Sequence, residues 1–191
     1  MSEKDFINKY LEDFSTIIKP NDDIVGKIIN ARDVMVSAQK RKNKIMIFGN
    51  GGSAAIASHV SVDLTKNANI RCTNYNEADL ITCFANDYGY ERWIEKAIDF
   101  YADQNDVLIL ISSSGKSPNM INAAVQAKSM KIPIITLTGF EQDNPLRQFS
   151  ELDFWVNSRA YNVIENTHQI WLLIVCDLIL GKVEYSSLFN K

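Results

Sequence analysis

The sequence predicts an α/β sandwich, a doubly wound parallel sheet with extra N-terminal helices ahead of it. Three observations carry that expectation. Short runs rich in Ile, Val and Leu recur along the chain, and three of them close on Gly, Ser or Thr. The runs are continuous rather than alternating, as in strands covered on both faces. Stretches of helical periodicity separate them, and strands alternating with helices build a parallel sheet flanked on both sides.

Phe6, Ile7, Tyr10, Leu11, Phe14, Ile17 and Ile18 recur at spacings of about three and four and predict an amphipathic helix over 3–19. Pro20-Asn21-Asp22 ends it. A second helix, from Asp22 or Asp23 to about Lys42, gathers Ile24, Ile28, Ile29, Val34 and Val36 on one side. A minimal sheet domain does not need these two helices, so packing against a partner subunit is expected. Strands are predicted at 44–48, 106–111 and 132–137, with 153–156 and 70–73 completing the sheet. Helices are predicted at 53–66, 78–86, 90–102, 117–130 and 161–180. The chain reads as one domain over 1–191, with N-terminal helices over 1–43 and an α/β core over 44–191.

Composition narrows the function. The hydrophobic share of 46% and charged share of 23% are those of an ordinary globular chain. A net charge of −3 without a basic stripe argues against direct nucleic-acid binding. The cluster at 39–44 reads as a solvated helix end. Three cysteines without a CxxC exclude a disulfide framework and a cysteine-only zinc site, and suit a reducing cytoplasm. The first residues are charged and amphipathic, without the apolar stretch of a signal peptide. The apolar run 170–180 is interrupted by Asp177 and too short to span a bilayer, so a buried helix and no membrane partner are expected.

Two strand-to-helix loops carry the chemistry. Gly49-Asn50-Gly51-Gly52-Ser53 follows the first strand, and Ser112-Ser113-Ser114-Gly115-Lys116-Ser117 follows the second long one. Such loops aim backbone N–H groups from the positive end of a helix at a ligand beside the C-terminal ends of parallel strands. Ser112, Ser113, Ser114 and Ser117 add hydroxyl donors suited to phosphate, although a serine before a helix also serves as its N-cap. Neither loop has Walker A spacing, and Gly49-x-Gly51-Gly52 stops short of a dinucleotide fingerprint. A small phosphorylated molecule fits better than a nucleotide.

The combination of GNGGSAA, FANDYGYE, ISSSGKSPN and LTG, over about 44–179, resembles the sugar isomerase (SIS) domain family, and within it the phosphoheptose isomerases. The resemblance implies a flavodoxin-like sandwich, a homotetramer with active sites shared between subunits, and conversion of sedoheptulose 7-phosphate to an aldose heptose phosphate. It further implies that Ser112, Ser113, Ser114 and Ser117 hold the phosphate. Asn50, Gly51, Gly52 and Ser53 would meet the sugar, with Asp87 beside it.

Shifting a carbonyl between adjacent carbons through an enediol(ate) needs an acid/base group near the working pH. Where the family has a histidine and a glutamate after the first loop, this chain has His59 and Asp63. On the last helix Glu165 replaces the family's glutamine and Asn166 its glutamate, His168 matches its first histidine, and Leu173 replaces its second. Asn67 stands where an arginine is usual, which points toward another sugar. Two readings follow. In one, Asp63 and Glu165 are the catalytic carboxylates. No cofactor is required, but His59, Asp63 and Glu165 form a candidate Zn2+ set like that of some family members. In the other, the fold is a non-catalytic module that binds a phosphosugar or a protein partner, as a replication-initiator-associating relative does. His168 is given no chemical role, and Trp93, Trp155 and Trp171 read as core or interface residues.

Overall fold

The computed structural model describes residues 1–184, so the last part of the expected core range lies outside the described residues. Two helices lead, α1 (Glu3–Ile18) and α2 (Asp22–Lys40). The core then runs β1 (Ile45–Gly49), α3 (Gly52–Lys66), β2 (Cys72–Thr73), α4 (Ala78–Tyr88), α5 (Trp93–Tyr101), β3 (Val107–Ser112), α6 (Pro118–Ser129), β4 (Ile134–Thr138), β5 (Leu152–Trp155) and α7 (Tyr161–Leu180). The five strands are parallel in the order β2-β1-β3-β4-β5, which is the flavodoxin-like order.

The apolar runs sort into two faces as a pleated strand requires. Ile45, Ile47, Ile109, Ile111, Ile135 and Leu137 pack toward α2, α3 and α7. Met46, Phe48, Leu108, Leu110 and Ile134 pack toward α5 and α6. Register brings Gly49 level with Ile111 and Ser112 level with Thr138, so the loops after β1 and β3 leave the sheet at nearly the same height.

Three local features depart from the sequence expectation. Only Cys72 and Thr73 of the 70–73 run pair with β1. The expected helix 90–102 opens as a 3-10 turn, Tyr90–Arg92, before α5. A further 3-10 turn, Pro145–Phe149, precedes β5.

The terminal helices differ. α1 begins with a capping box between Ser2 and Asp5, yet buries none of its residues, and Phe6, Ile7 and Leu11 are more than half exposed. α7 is long and apolar enough to cross a membrane by length and composition. Its Val163, Ile164, Trp171, Leu172, Val175 and Cys176 nevertheless lie in the core, so it is the buried helix expected. Each such side chain contributes roughly 1.5–3 kcal/mol by burial, which fixes α7 against α2 and α3 independently of any polar contact.

Candidate functional site

The strand order reverses between β1 and β3, and both Gly/Ser loops open onto that crevice. In open α/β sheets ligands bind at this switch point. A cavity of about 110 Å3 lies here, lined by Asn50, Ser53, Ile111, Ser112, Ser113, Ser114, Ser117, Tyr161 and Glu165.

The serine loop is not consumed by capping. Ser117 is the N-cap of α6, but its side chain accepts no capping hydrogen bond, and Pro118 follows it at the first helical position. Its hydroxyl lies 3.4 Å from that of Ser112. Ser114 Oγ accepts from the Lys116 N–H at 3.2 Å. The Ser113 hydroxyl is buried without a partner. Buried hydroxyls without a partner are uncommon, and this one belongs to a residue that lines the cavity. The loop's shape depends on Gly115, whose φ of 62° disfavours any side chain. A Cβ there would lie 1.9 Å from Oδ1 of Asn144, a 1% exposed residue whose amide donates to Thr138 Oγ1.

Glu165 reaches the cavity from the first turns of α7. Its carboxylate rests over Gly52 so closely that a Cβ there would come within 2.2 Å of Oε2. Burial pushes its pKa above the ordinary carboxylate range, with no partner among the described residues to pull it back. The start of α3 beneath it supplies the positive end of a helix dipole.

The first loop is braced. Asn50 Oδ1 accepts from Asn119 Nδ2 at 2.9 Å and Tyr90 Oη at 3.1 Å, while Asn50 Nδ2 donates to Asn119 Oδ1 at 3.1 Å. Asn119 and Tyr161 were not singled out in the sequence. Their signals were present, Asn119 in the SPN that opens α6 and Tyr161 one turn before Glu165.

Other sequence candidates lie elsewhere. Asp63 does not line the serine cavity. Its carboxylate is 3.5 Å from His59 Nε2 and accepts from Asn67 Nδ2 at 3.2 Å. The reason is geometric: Asp63 is eleven residues beyond Gly52, about 16 Å along the helix axis. Gln169 Nε2 donates to His59 Nδ1 at 2.9 Å, which leaves the neutral ring's proton on Nε2, facing Asp63. Asp87 is exposed on α4 and accepts from Asn86 Nδ2 at 2.8 Å, away from the cavity.

The expected zinc set of His59, Asp63 and Glu165 is not gathered at one point within the protomer. Among the described residues no three of His, Cys, Asp and Glu are placed to hold a metal ion. One ring nitrogen of His59 is taken by Gln169, the other faces Asp63, and Glu165 belongs to a separate cavity. These residues do not fit a zinc ion.

His168 is a structural anchor. It is fully buried, and its Nε2–H donates to the Thr138 carbonyl at 3.0 Å. Nδ1 lacks a partner, and burial lowers the pKa to about 4, so the ring is neutral.

A larger cavity, about 530 Å3, lies between the α1–α2 junction and β5. Of its three cations, Lys27 and Arg147 are paired with Asp23 and Asp153 and Lys19 lies at the rim, whereas the serine cavity is lined by a carboxylate, Glu165, that has no ion pair among the described residues. The smaller cavity has the chemistry.

Residues 9–139, more than half the chain, match the family model of the SIS domain, and the chain belongs to that family. Its relatives include the phosphoheptose isomerase of Colwellia psychrerythraea, 33% identical over 180 residues that cover 90% of this chain and 92% of the relative. That of Aliarcobacter butzleri is 30% identical over 185 residues, covering 94% and 97%. Among solved structures, a phosphoheptose isomerase from Francisella tularensis has a TM-score of 0.84 at 25% identity, covering 95% of this chain and 100% of its own. One from Neisseria gonorrhoeae shares the fold with a TM-score of 0.86 at 23% identity, covering 93% and 99%.

Proposed function

We propose that this chain is a phosphosugar aldose–ketose isomerase of the kind that acts on sedoheptulose 7-phosphate, with Asn67 as the position that leaves room for a related sugar phosphate. The observation that carries the reading is the presence of the Glu165 carboxylate and the serine hydroxyls in one cavity. The relatives named phosphoheptose isomerase support the choice of substrate. Ser112, Ser113, Ser114 and Ser117 hold the phosphate with the positive end of α6. Glu165 takes the proton from C1, beside the C2 carbonyl, and returns it to C2, while the proton of the C1 hydroxyl passes to the former carbonyl oxygen, so that the enediol(ate) closes as the aldose. Burial makes this carboxylate a stronger base than an exposed one, as the task requires. Asp63, tied to His59 and Asn67, is not the second carboxylate of this cavity in the protomer.

The working form in this reading is a cytoplasmic homotetramer. The exposed apolar face of α1 supports assembly, and the three free cysteines suit a reducing compartment.

A second reading starts from Leu173, which packs against the core at the position where the resemblance implies a histidine and so favours a non-catalytic phosphosugar-binding module. An assay of aldose formation from sedoheptulose 7-phosphate separates the two. The isomerase reading expects turnover by the wild type, with binding retained and turnover lost in Glu165→Gln. Tight binding of the phosphosugar with no turnover by the wild type selects the module.

A further inference from the structure

We propose that Tyr161 is the second acid/base group of the serine cavity, its hydroxyl relaying the proton between the two substrate oxygens while Glu165 moves the one between the carbons. The inference rests on the isomerase reading above. Moving the carbonyl from C2 to C1 shifts one proton on carbon and one on oxygen, and a single carboxylate is occupied by the first.

The cavity offers few groups for the second. Neither histidine lines it: His59 is engaged by Gln169 and Asp63, and His168 is sealed against the Thr138 carbonyl. The Asn50 amide is engaged by Asn119 and Tyr90. Beside the phosphate serines, the Ser53 hydroxyl and the Tyr161 phenol remain. A phenol gives up its proton far more readily than an aliphatic alcohol. Tyr161 is also the first residue of α7, where the helix dipole favours the phenolate formed midway.

The fold holds this ring at the C-terminal edge of the sheet. Tyr161 and Glu165, four residues apart, share one face of α7. Tyr161 is 57% exposed, and its ring meets Phe140 edge-on, with centroids 5.0 Å apart at 64°. Phe140 has a φ of 52°, a left-handed conformation rare for a bulky residue. Two bonds fix it there: the Gly139 N–H donates to the Ser113 carbonyl and the Phe140 N–H to the Ser158 carbonyl, each at 2.9 Å. Ile164 presses on Gly139 so closely that a Cβ there would lie 2.6 Å from its Cδ1. The serine loop, Phe140 and the start of α7 therefore form one unit, which sets the height of Tyr161 beside the loop.

The relay balances. As Glu165 removes the C1 proton, the C1–H pair forms the C1–C2 double bond and the carbonyl oxygen on C2 takes the Tyr161 proton, leaving an enediol and a phenolate. The phenolate then takes the O1 proton, the O1–H pair forms the C1 carbonyl, and the double-bond pair takes the proton back from Glu165 at C2. Both side chains end as they began.

The test is steady-state kinetics on sedoheptulose 7-phosphate, with isothermal titration of inorganic phosphate, for wild type, Tyr161→Phe and Ser53→Ala. Phenylalanine keeps the ring against Phe140 and removes only the hydroxyl, at a position exposed enough to leave the fold intact. The expected result for Tyr161→Phe is a fall in kcat of about 10²-fold, with KM within about twofold and phosphate affinity unchanged. A raised KM at unchanged kcat makes Tyr161 a binding contact only and overturns the relay. Loss of turnover in Ser53→Ala but not in Tyr161→Phe overturns it too. A wild type that turns the sugar over, with Tyr161→Phe undiminished, overturns this inference alone. A wild type without turnover overturns the isomerase reading and this inference together.

Discussion

Helices α3 and α7 pack side by side, and each carries one carboxylate and one histidine that the sequence marks for attention. The α3 pair is closed on itself and its neighbours, His59 with Asp63 and Gln169, and Asp63 with Asn67. The α7 pair is divided. Glu165 stands in the serine cavity without a partner among the described residues, and His168 is sealed in the core against the Thr138 carbonyl. The pair with the obvious i, i+4 spacing is the quiet one. A side chain becomes chemically available through its height on the helix and the absence of a partner, not through its proximity to another titratable group.

The sharpest way to break this contrast is to neutralise both carboxylates in turn. Glu165→Gln is expected to lower kcat/KM for the phosphosugar by about 10²–10⁴-fold, and Asp63→Asn by less than about threefold. Equal losses would erase the distinction. Because burial raises the Glu165 pKa, the ionised side chain works against folding above the ordinary carboxylate range. The glutamine variant should therefore melt no lower than wild type at pH 7, and its relative advantage should shrink as the pH falls from the raised value toward the ordinary carboxylate range.

The histidines give the next effect. His168 has its pKa pushed down to about 4, so the unfolded chain takes up this proton before the folded one. Its contribution to stability is complete above about pH 6.5 and is lost as the pH falls toward 4, a change of roughly 3 kcal/mol. Denaturant titrations between pH 7 and 4 should show that slope in wild type and His59→Gln, and a flatter one in His168→Gln. Gly52→Ala probes the carboxylate's seat. Its Cβ would displace the Glu165 carboxylate, and about a tenfold loss of turnover without loss of phosphate affinity is expected. The smallest effect belongs to the half-exposed pair of His59 and Asp63: chemical denaturation of Asp63→Asn should differ from wild type by less than about 1 kcal/mol.

Most of the fold was legible because its strands are continuous apolar runs with Gly, Ser or Thr at their ends. Where the signal was tertiary it was not. Cys72 and Thr73 are the only residues of their run to find a partner strand, and no local pattern announces that limit. The serine loop was legible from its density of hydroxyls. The buried state of the Ser113 hydroxyl was not, because it depends on how the loop folds back toward β4, where the Ser113 carbonyl accepts from the Gly139 N–H. For Asp63, helical spacing reports a face shared with His59 but not the distance to the sheet edge. Counting rise per residue from Gly52 would have placed it too far down α3.

The close approach of Asn144 to Gly115 has a consequence for how sequences of this kind diverge. The amide at 144 fills the space that a side chain at 115 would occupy. Two barriers therefore guard position 115, its left-handed backbone and the amide at 144, and shrinking residue 144 removes only the second. Among descendants of this chain, any that gain a side chain at 115 should carry a smaller residue at 144.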